Sequence, residues 1–292
     1  MKKLIVFLLW AFVPMIGVGL FLHLNGAGAG ELTQNTDPMK AITTLAFSAG
    51  AMLIPLLAVV FTQLIFKEPV LKGLGVSFKL NRWWVIGWLL MPILAFAVLG
   101  VSLLMPGEEW SVDALLAGGQ QMPIKIGPWG MIAITLVSGM ISGVTVNALF
   151  AFGEEIAWRG FLVKHFEGKK FLTVSLLIGV IWGFWHAPLI LNGHNYPQHP
   201  VLGVFLMVLM CLILTPMLLY FRQKSGSVIV PAIMHGTFNA VIGISNMVVA
   251  PANDLLVGGP GLAGFIVLLL CDALLFVYDR YFSKENLFVS AV

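Results

Sequence analysis

Apolar residues fill this chain in long runs, broken at intervals by short clusters of charge, Pro, Gly or Asn. Cutting at those breaks leaves eight apolar segments, near 4–24, 41–66, 83–105, 129–152, 172–191, 200–221, 228–249 and 258–279. A helix needs about 20 mostly apolar residues to cross the hydrocarbon of a bilayer, and each segment is close to that length. The pattern predicts an all-α polytopic membrane protein, a bundle of about eight transmembrane helices.

Basic residues test this division, because Lys and Arg are retained on the cytoplasmic side of spanning helices. With both termini cytoplasmic, 14 of the 16 fall on the inside. They are Lys2 and Lys3; Lys67, Lys72, Lys79 and Arg82; Arg159, Lys164, Lys169 and Lys170; Arg222 and Lys224; Arg280 and Lys284. Only Lys40 and Lys125 fall outside, and a wrong span count would scramble the alternation. Lys2-Lys3 followed by an apolar run and Gly26-Ala27-Gly28-Ala29-Gly30 also has the look of a signal peptide. The run is longer than the 7–15 residues of a signal h-region, which favours a retained helix.

Composition agrees: of 292 residues 59% are hydrophobic and only 10% charged, with a net charge of +3. Soluble domains carry about 25% charged residues, so soluble enzymes and nucleic-acid readers are excluded as classes. The breaks at 25–40, 67–82 and 106–128 are too short for a core of their own. Residues 1–292 are therefore read as one integral membrane domain, with no internal repeat. The basic segment 67–82 is suited to lie against anionic headgroups. In the outer loops, Glu108, Glu109 and Asp113 read as a solvated connection, and His194 and His199 as exposed histidines rather than metal ligands. Cys211 and Cys271 each sit in an apolar run, which speaks against a disulfide framework or a CxxC pair.

Strong polar groups inside apolar runs are costly and normally serve a pathway or a reaction. Three clusters stand out. Glu154-Glu155-Ile156-Ala157-Trp158-Arg159 follows the fourth run. If the helix continues to about 165, Glu155 and Arg159 pair at i and i+4 while Glu154 points elsewhere as the freer carboxylate. Trp182 and His186 share a face in the fifth run, ahead of Pro188; His235 and Asn239 share one in the seventh. Counting 1.5 Å per residue from the cytoplasmic helix ends puts Glu154, His186 and His235 roughly 16, 21 and 12 Å deep, in one layer.

No GxSxG elbow or Ser-Lys pair supplies a nucleophile, and the cysteines are read as lying apart from the histidines. Glu154, His186 and His235 could form a His2Glu zinc site. The economical alternative is water activated by Glu154 with His186, and an oxyanion held by a His235 ring nitrogen and the Asn239 amide.

These motifs resemble the CAAX protease and bacteriocin-processing family of intramembrane proteases, similar to the type II CAAX prenyl endopeptidase. The family pattern EExxxR, aromatic-xxxH and HxxxN reads here as Glu154-Glu155-x-x-x-Arg159, Trp182-x-x-x-His186 and His235-x-x-x-Asn239. It covers roughly 150–240, a family-like catalytic core. Trp182 stands where phenylalanine is commoner, a conservative departure. The resemblance implies an intramembrane endopeptidase in which Glu154 and His186 activate water, His235 and Asn239 stabilise the oxyanion, and Glu155 and Arg159 orient the site. No cofactor is expected, with zinc on Glu154, His186 and His235 as the alternative.

The implied partners are membrane lipid and a peptide or lipidated protein. In prenyl-protease members this resembles a CaaX tail cleaved after its modified cysteine and entering from the cytoplasmic side. The expected location is the plasma membrane of a prokaryote, as a multi-pass protein; no nucleic-acid partner is expected and the sequence sets no oligomeric state. The rival readings are a non-enzymatic bacteriocin-immunity or membrane-binding protein, and a transporter using the same groups as a proton relay. Asp272 in the eighth run and Asn147 ahead of Glu154 read as interhelical packing groups. Gly139 and Gly143 form a GxxxG that permits close helix contact.

Overall fold

The computed structural model describes residues 1–26, 38–113, 115 and 126–292. Lys125 and the glycine-rich 27–30 stretch of the signal-peptide alternative lie outside them, as does the side chain of Lys40. The chain is almost wholly helical. In order come α1 (Lys2–Leu24), α2 (Pro38–Ala51), α3 (Ile54–Ile65), α4 (Arg82–Ser102), α5 (Pro128–Val144) and α6 (Val146–Glu155). The last runs on through a π-helical stretch, Ile156–Leu162, to a final turn, Val163–His165. Then follow α7 (Phe171–Trp185), α8 (Ala187–Ile190), α9 (Pro200–Ser225), α10 (Ile229–Val241), α11 (Ile244–Val248) and α12 (Leu262–Val277). Two short strands, β1 (Glu109–Trp110) and β2 (Val249–Ala250), pair antiparallel.

Among the described residues five helices are long and apolar enough to cross a membrane, six if the bent pair α5–α6 counts as one span. The eight apolar segments thus include some that are not single long helices. The fifth and seventh runs are split instead, α7 from α8 around His186 and α10 from α11 around Ile242-Gly243. Contacts at the ends show that both runs nevertheless traverse the bundle. At one end, Lys3 Nζ meets Glu68 Oε2 at 2.6 Å, Lys164 Nζ donates to the Lys72 carbonyl at 3.3 Å, and Lys224 pairs with Glu285. Val228 N donates to the Gly75 carbonyl and Gly168 N to that of Val292, both at 2.9 Å. At the other end β1 meets β2, and Tyr196 Oη donates to the Pro260 carbonyl at 2.6 Å. Basic residues thus gather at one end, together with both termini, as the charge pattern requires.

The helix surfaces explain why this bundle needs lipid. On α1, Phe7, Ala11 and Met15 are buried, while Ile5, Leu9, Val13, Ile16 and Leu20 are each at least half exposed. A soluble helix would carry polar residues on that outer face; here it is as apolar as the inner one. The chain forms an integral membrane protein. Helix pairs close on small residues. A β-carbon added at Gly143 would sit 2.6 Å from Thr237 Cα on α10, and one at Gly179 would sit 2.8 Å from Leu212 Cα on α9. Gly139 also faces Val241, so the GxxxG serves contact within the chain.

Glu108 is not a solvated loop residue. It is 7% exposed and accepts hydrogen bonds from the backbone N–H groups of Ala252 (2.8 Å) and Asn253 (3.0 Å), tying two outer loops together.

Candidate active site

Span four supplies the carboxylates, and it continues past 152 as expected. The bend of 51° comes earlier, at Thr145, between α5 and α6. Beyond Glu155 the backbone loosens to the π-helical turn that carries Trp158 and Arg159. Such turns inside α-helices recur at functional sites.

The two adjacent carboxylates have different surroundings. Glu155, fully buried, accepts on Oε1 from Arg159 Nη1 at 3.0 Å and from His235 Nδ1 at 2.9 Å. Arg159 also donates from Nη2 to Thr215 Oγ1 at 3.2 Å, and its guanidinium lies 4.3 Å from the centre of the Trp182 ring. Glu155, Trp158, Arg159 and Thr215 are all 0% exposed, a sealed layer. Glu154, 2% exposed, meets no cation directly. Its Oε2 accepts from the indole Nε1 of Trp182 at 2.6 Å and of Trp158 at 3.3 Å. The freer carboxylate of the pair is therefore clamped on one oxygen by two neutral donors.

Neither indole is marked as a partner of Glu154 by the motif spacing alone. Trp158 was legible as a residue four positions after a buried carboxylate, and Trp182 as the aromatic that brings an N–H where phenylalanine has none. A buried indole N–H normally finds an acceptor.

His186 caps the C-terminus of α7, where Pro188 prevents regular continuation. Its Nδ1 lies 2.9 Å from the Trp182 carbonyl. A carbonyl only accepts, so Nδ1 carries the hydrogen and Nε2 keeps its lone pair in the neutral ring. His235 presents Nδ1 to Glu155, which leaves its Nε2 as the nitrogen available to a bound group. Asn239, one turn further along α10, is exposed into the same space.

Glu154, Trp182, His186, His235 and Asn239 line one cavity of about 310 Å³. Its other walls are Phe150, Met207, Met210, Leu214 and Phe238, with Asn147, Leu189, His194, Asn195 and Pro260 toward the end opposite the basic one. Glu155 and Arg159 lie beneath the floor. Glu154, His186 and His235 thus lie around one cavity within the bundle. The lining extends from the floor toward the outer end, and the sealed Glu155–Arg159 layer closes the other side.

Cys211 does not lie apart from the histidines. It lines the cavity with Sγ 4.0 Å from His186 Nδ1. That nitrogen's hydrogen is directed at the Trp182 carbonyl, so it offers no base for the thiol. Asn147 donates to the Gly236 carbonyl at 3.3 Å, the interhelical bond expected of it. Asp272 lies away from the cavity lining, with a buried Oδ1 that has no partner among the described residues. His199 pairs with Asp254 at 2.6 Å, and His194 is turned to the cavity, so the two do not share an ion.

Zinc bound by Glu154, His186 and His235 would need three ligand atoms within about 2.0–2.3 Å of one point. Among the described residues no three His, Cys, Asp or Glu side chains are grouped to hold an ion. One oxygen of Glu154 is also occupied by indole donors. As placed, Glu154, His186 and His235 line one cavity without forming a three-ligand group.

The fold and cavity define a polytopic helical membrane protein enclosing a Glu/His/His/Asn set. Comparison with known proteins carries this further. Residues 134–241 match the family described as type II CAAX prenyl endopeptidase Rce1-like. The chain is also 30% identical over 144 residues to CAAX prenyl protease 2 of Methanococcus maripaludis. That alignment covers 46% of this chain and 48% of the relative, so the chain spans about half the length of the protein it matches. The matched segment contains all three motifs.

Proposed function

We propose that this protein is an intramembrane endopeptidase that hydrolyses a peptide bond with water activated by Glu154 and His186. The observation that carries this reading is the convergence of four groups on one cavity from three helices. They are a carboxylate, a histidine with a directed tautomer, a second histidine and an amide. The Rce1-like match and the relative's name support a protease, a hydrolase, and residues 150–240 are its catalytic core within one membrane domain.

In this mechanism water sits between Glu154 and Nε2 of His186. Glu154 takes a proton as the water oxygen attacks the carbonyl carbon, and returns it to the departing nitrogen as the C–N bond breaks. The carbonyl oxygen, now negative, accepts hydrogen bonds from Asn239 Nδ2 and from Nε2 of His235 in its imidazolium form. Donors fixed in advance in a dry site stabilise such charge strongly. Glu155 and Arg159 position His235 from below. The mechanism needs no cofactor, and the setting is the plasma membrane of a prokaryotic cell. Packing or proton relay accounts for neither the Asn239 amide facing the cavity nor the clamp on Glu154.

The test uses purified wild type and Glu154→Gln in nanodiscs, scoring cleavage of quenched fluorescent prenylated and unprenylated apolar peptides with and without a strong chelator. Cleavage by wild type, a loss of about 100-fold or more in the variant, and indifference to chelator are expected. Loss on chelation restored by zinc would overturn the metal-independent mechanism. Equal cleavage by Glu154→Gln would remove Glu154 as the base.

A further inference from the structure

The basic end of the bundle holds a second, smaller cavity that the proposed hydrolysis does not use. It measures about 160 Å³, and its lining includes Gly73, Gly160, Lys164, Glu167 and Arg222. Every segment of this end, 1–3, 66–82, 156–171, 222–228 and 278–292, lies among the described residues.

Two glycines make room here for two cations. Gly73 and Gly75 both adopt positive φ, +78° and +79°, a conformation that strains any residue with a side chain. A β-carbon at Gly73 would sit 3.0 Å from Lys164 Nζ, and one at Gly75 would overlap the Arg222 guanidinium. The turn that carries them is held in place. Val228 N donates to the Gly75 carbonyl at 2.9 Å, Lys164 Nζ donates to that of Lys72 at 3.3 Å, and Leu74 is fully buried. Gly160 seats the same turn against the π-helical stretch, since a β-carbon there would lie 3.0 Å from the Leu74 carbonyl oxygen. The fold itself therefore sets the two cations beside one space.

The carboxylates of this end are mostly engaged elsewhere. Glu68 pairs with Lys3, Glu285 pairs with Lys224, and Asp279 accepts from Ser283 Oγ and from the Phe288 N–H. Arg222, half-buried, has no ion pair among the described residues, and its buried Nε has no hydrogen-bond partner. Glu167, exposed, is the one acidic residue of the lining, so two cations face a single carboxylate. Buried donors normally have acceptors, and the planar fork of a guanidinium matches a phosphate. Basic pockets between spanning helices on the cytoplasmic side are suited to phospholipid headgroups. Gly73 and Gly75 fall in the middle of the basic segment 67–82 that the sequence places against such headgroups.

We propose that this cavity binds a phosphate group between Arg222 and Lys164, that of a phospholipid headgroup at the inner surface of the membrane. The assignment is independent of the hydrolase reading.

The test measures the thermal unfolding midpoint of the purified full chain in detergent against dioctanoyl phosphatidylglycerol, dioctanoylglycerol, which lacks the phosphate, and inorganic phosphate. Wild type is compared with Arg222→Gln, Lys164→Gln and Glu167→Gln. A ligand that binds only the folded protein raises the midpoint with its concentration. Expected is a saturating rise with phosphatidylglycerol in wild type and none with dioctanoylglycerol. Affinity should fall about 10-fold or more in Arg222→Gln, the scale of a lost hydrogen bond to a charge. It should fall by a smaller factor in Lys164→Gln and rise in Glu167→Gln, which removes the opposing charge. Lys164 and Glu167 are exposed, so these two variants decide the matter should Arg222→Gln not fold. No rise in wild type, an equal rise with dioctanoylglycerol, unchanged binding in Lys164→Gln and Arg222→Gln, or weaker binding in Glu167→Gln would each overturn the site. An equal rise with inorganic phosphate, weakened by the same substitutions, would keep the phosphate site and overturn its lipid source.

Discussion

Glu154 and Glu155 are neighbours in the chain, yet the layers they belong to are built on opposite principles. Beneath the floor, Glu155 is matched by Arg159 and His235 and sealed by Thr215 and Trp158, with no accessible surface. At the floor, Glu154 is held by two indole N–H groups and opens on the cavity. Compensation by a full cation fixes a charge and spends its reactivity. Neutral donors on one oxygen fix the direction of a carboxylate while leaving it able to accept a proton. On the proposed mechanism the lower layer is architecture and the upper one chemistry, with adjacent residues of one helix serving each.

Breaking the lower layer should have the largest effect. Arg159→Leu strands a buried carboxylate, which costs about 3–5 kcal/mol. The expected outcome is a much lower thermal unfolding midpoint or loss of folded protein, and a stable, active variant would dissolve the distinction between the layers. Glu154→Gln gives the opposite signature, with activity lost and the unfolding midpoint close to wild type.

Trp182→Phe sharpens the comparison, since it keeps the aromatic ring and removes only the N–H. A hydrogen bond to a charged acceptor is worth about 1.5–3 kcal/mol. Turnover should therefore fall roughly 10-fold or more with KM little changed and the fold intact. Unchanged kcat would show that the Trp182 clamp does not position the base. The smallest effect belongs to Cys211→Ala, which should leave kcat/KM within about threefold, a little over half a kcal/mol. A loss comparable to Glu154→Gln would transfer the role of nucleophile to the thiol.

The sequence made the polar set legible because each member interrupts an apolar run at a cost that ordinary packing does not explain. It also made the ends legible, through the alternation of Lys and Arg. Other features were hidden for physical reasons. Trp158 and Trp182 look like core residues in so apolar a background, and only the need of a buried N–H for an acceptor hints otherwise. Glu108 binds backbone groups 144 and 145 positions away, which no local pattern announces. The bend at Thr145 has neither Pro nor Gly at the break itself. Residue counting, in turn, gives the height of a group but not which side chains wall the space around it.

The glycine contacts have a mechanical consequence. Gly143 and Gly236 bring α5 and α6 against the backbone of α10, and Gly179 and Gly183 do the same for α7 against α9. These pairs are two stiff plates, one carrying Glu154, His235 and Asn239, the other His186 and the methionine wall. The plates are joined at two levels, by Trp182 to Glu154 and Arg159 to Thr215 at or below the floor, and by Tyr196 to Pro260 and His199 to Asp254 at the opposite end. The molecule is built like a frame bolted at top and bottom, with the polar groups of the cavity held at fixed spacing between the two sets of bolts.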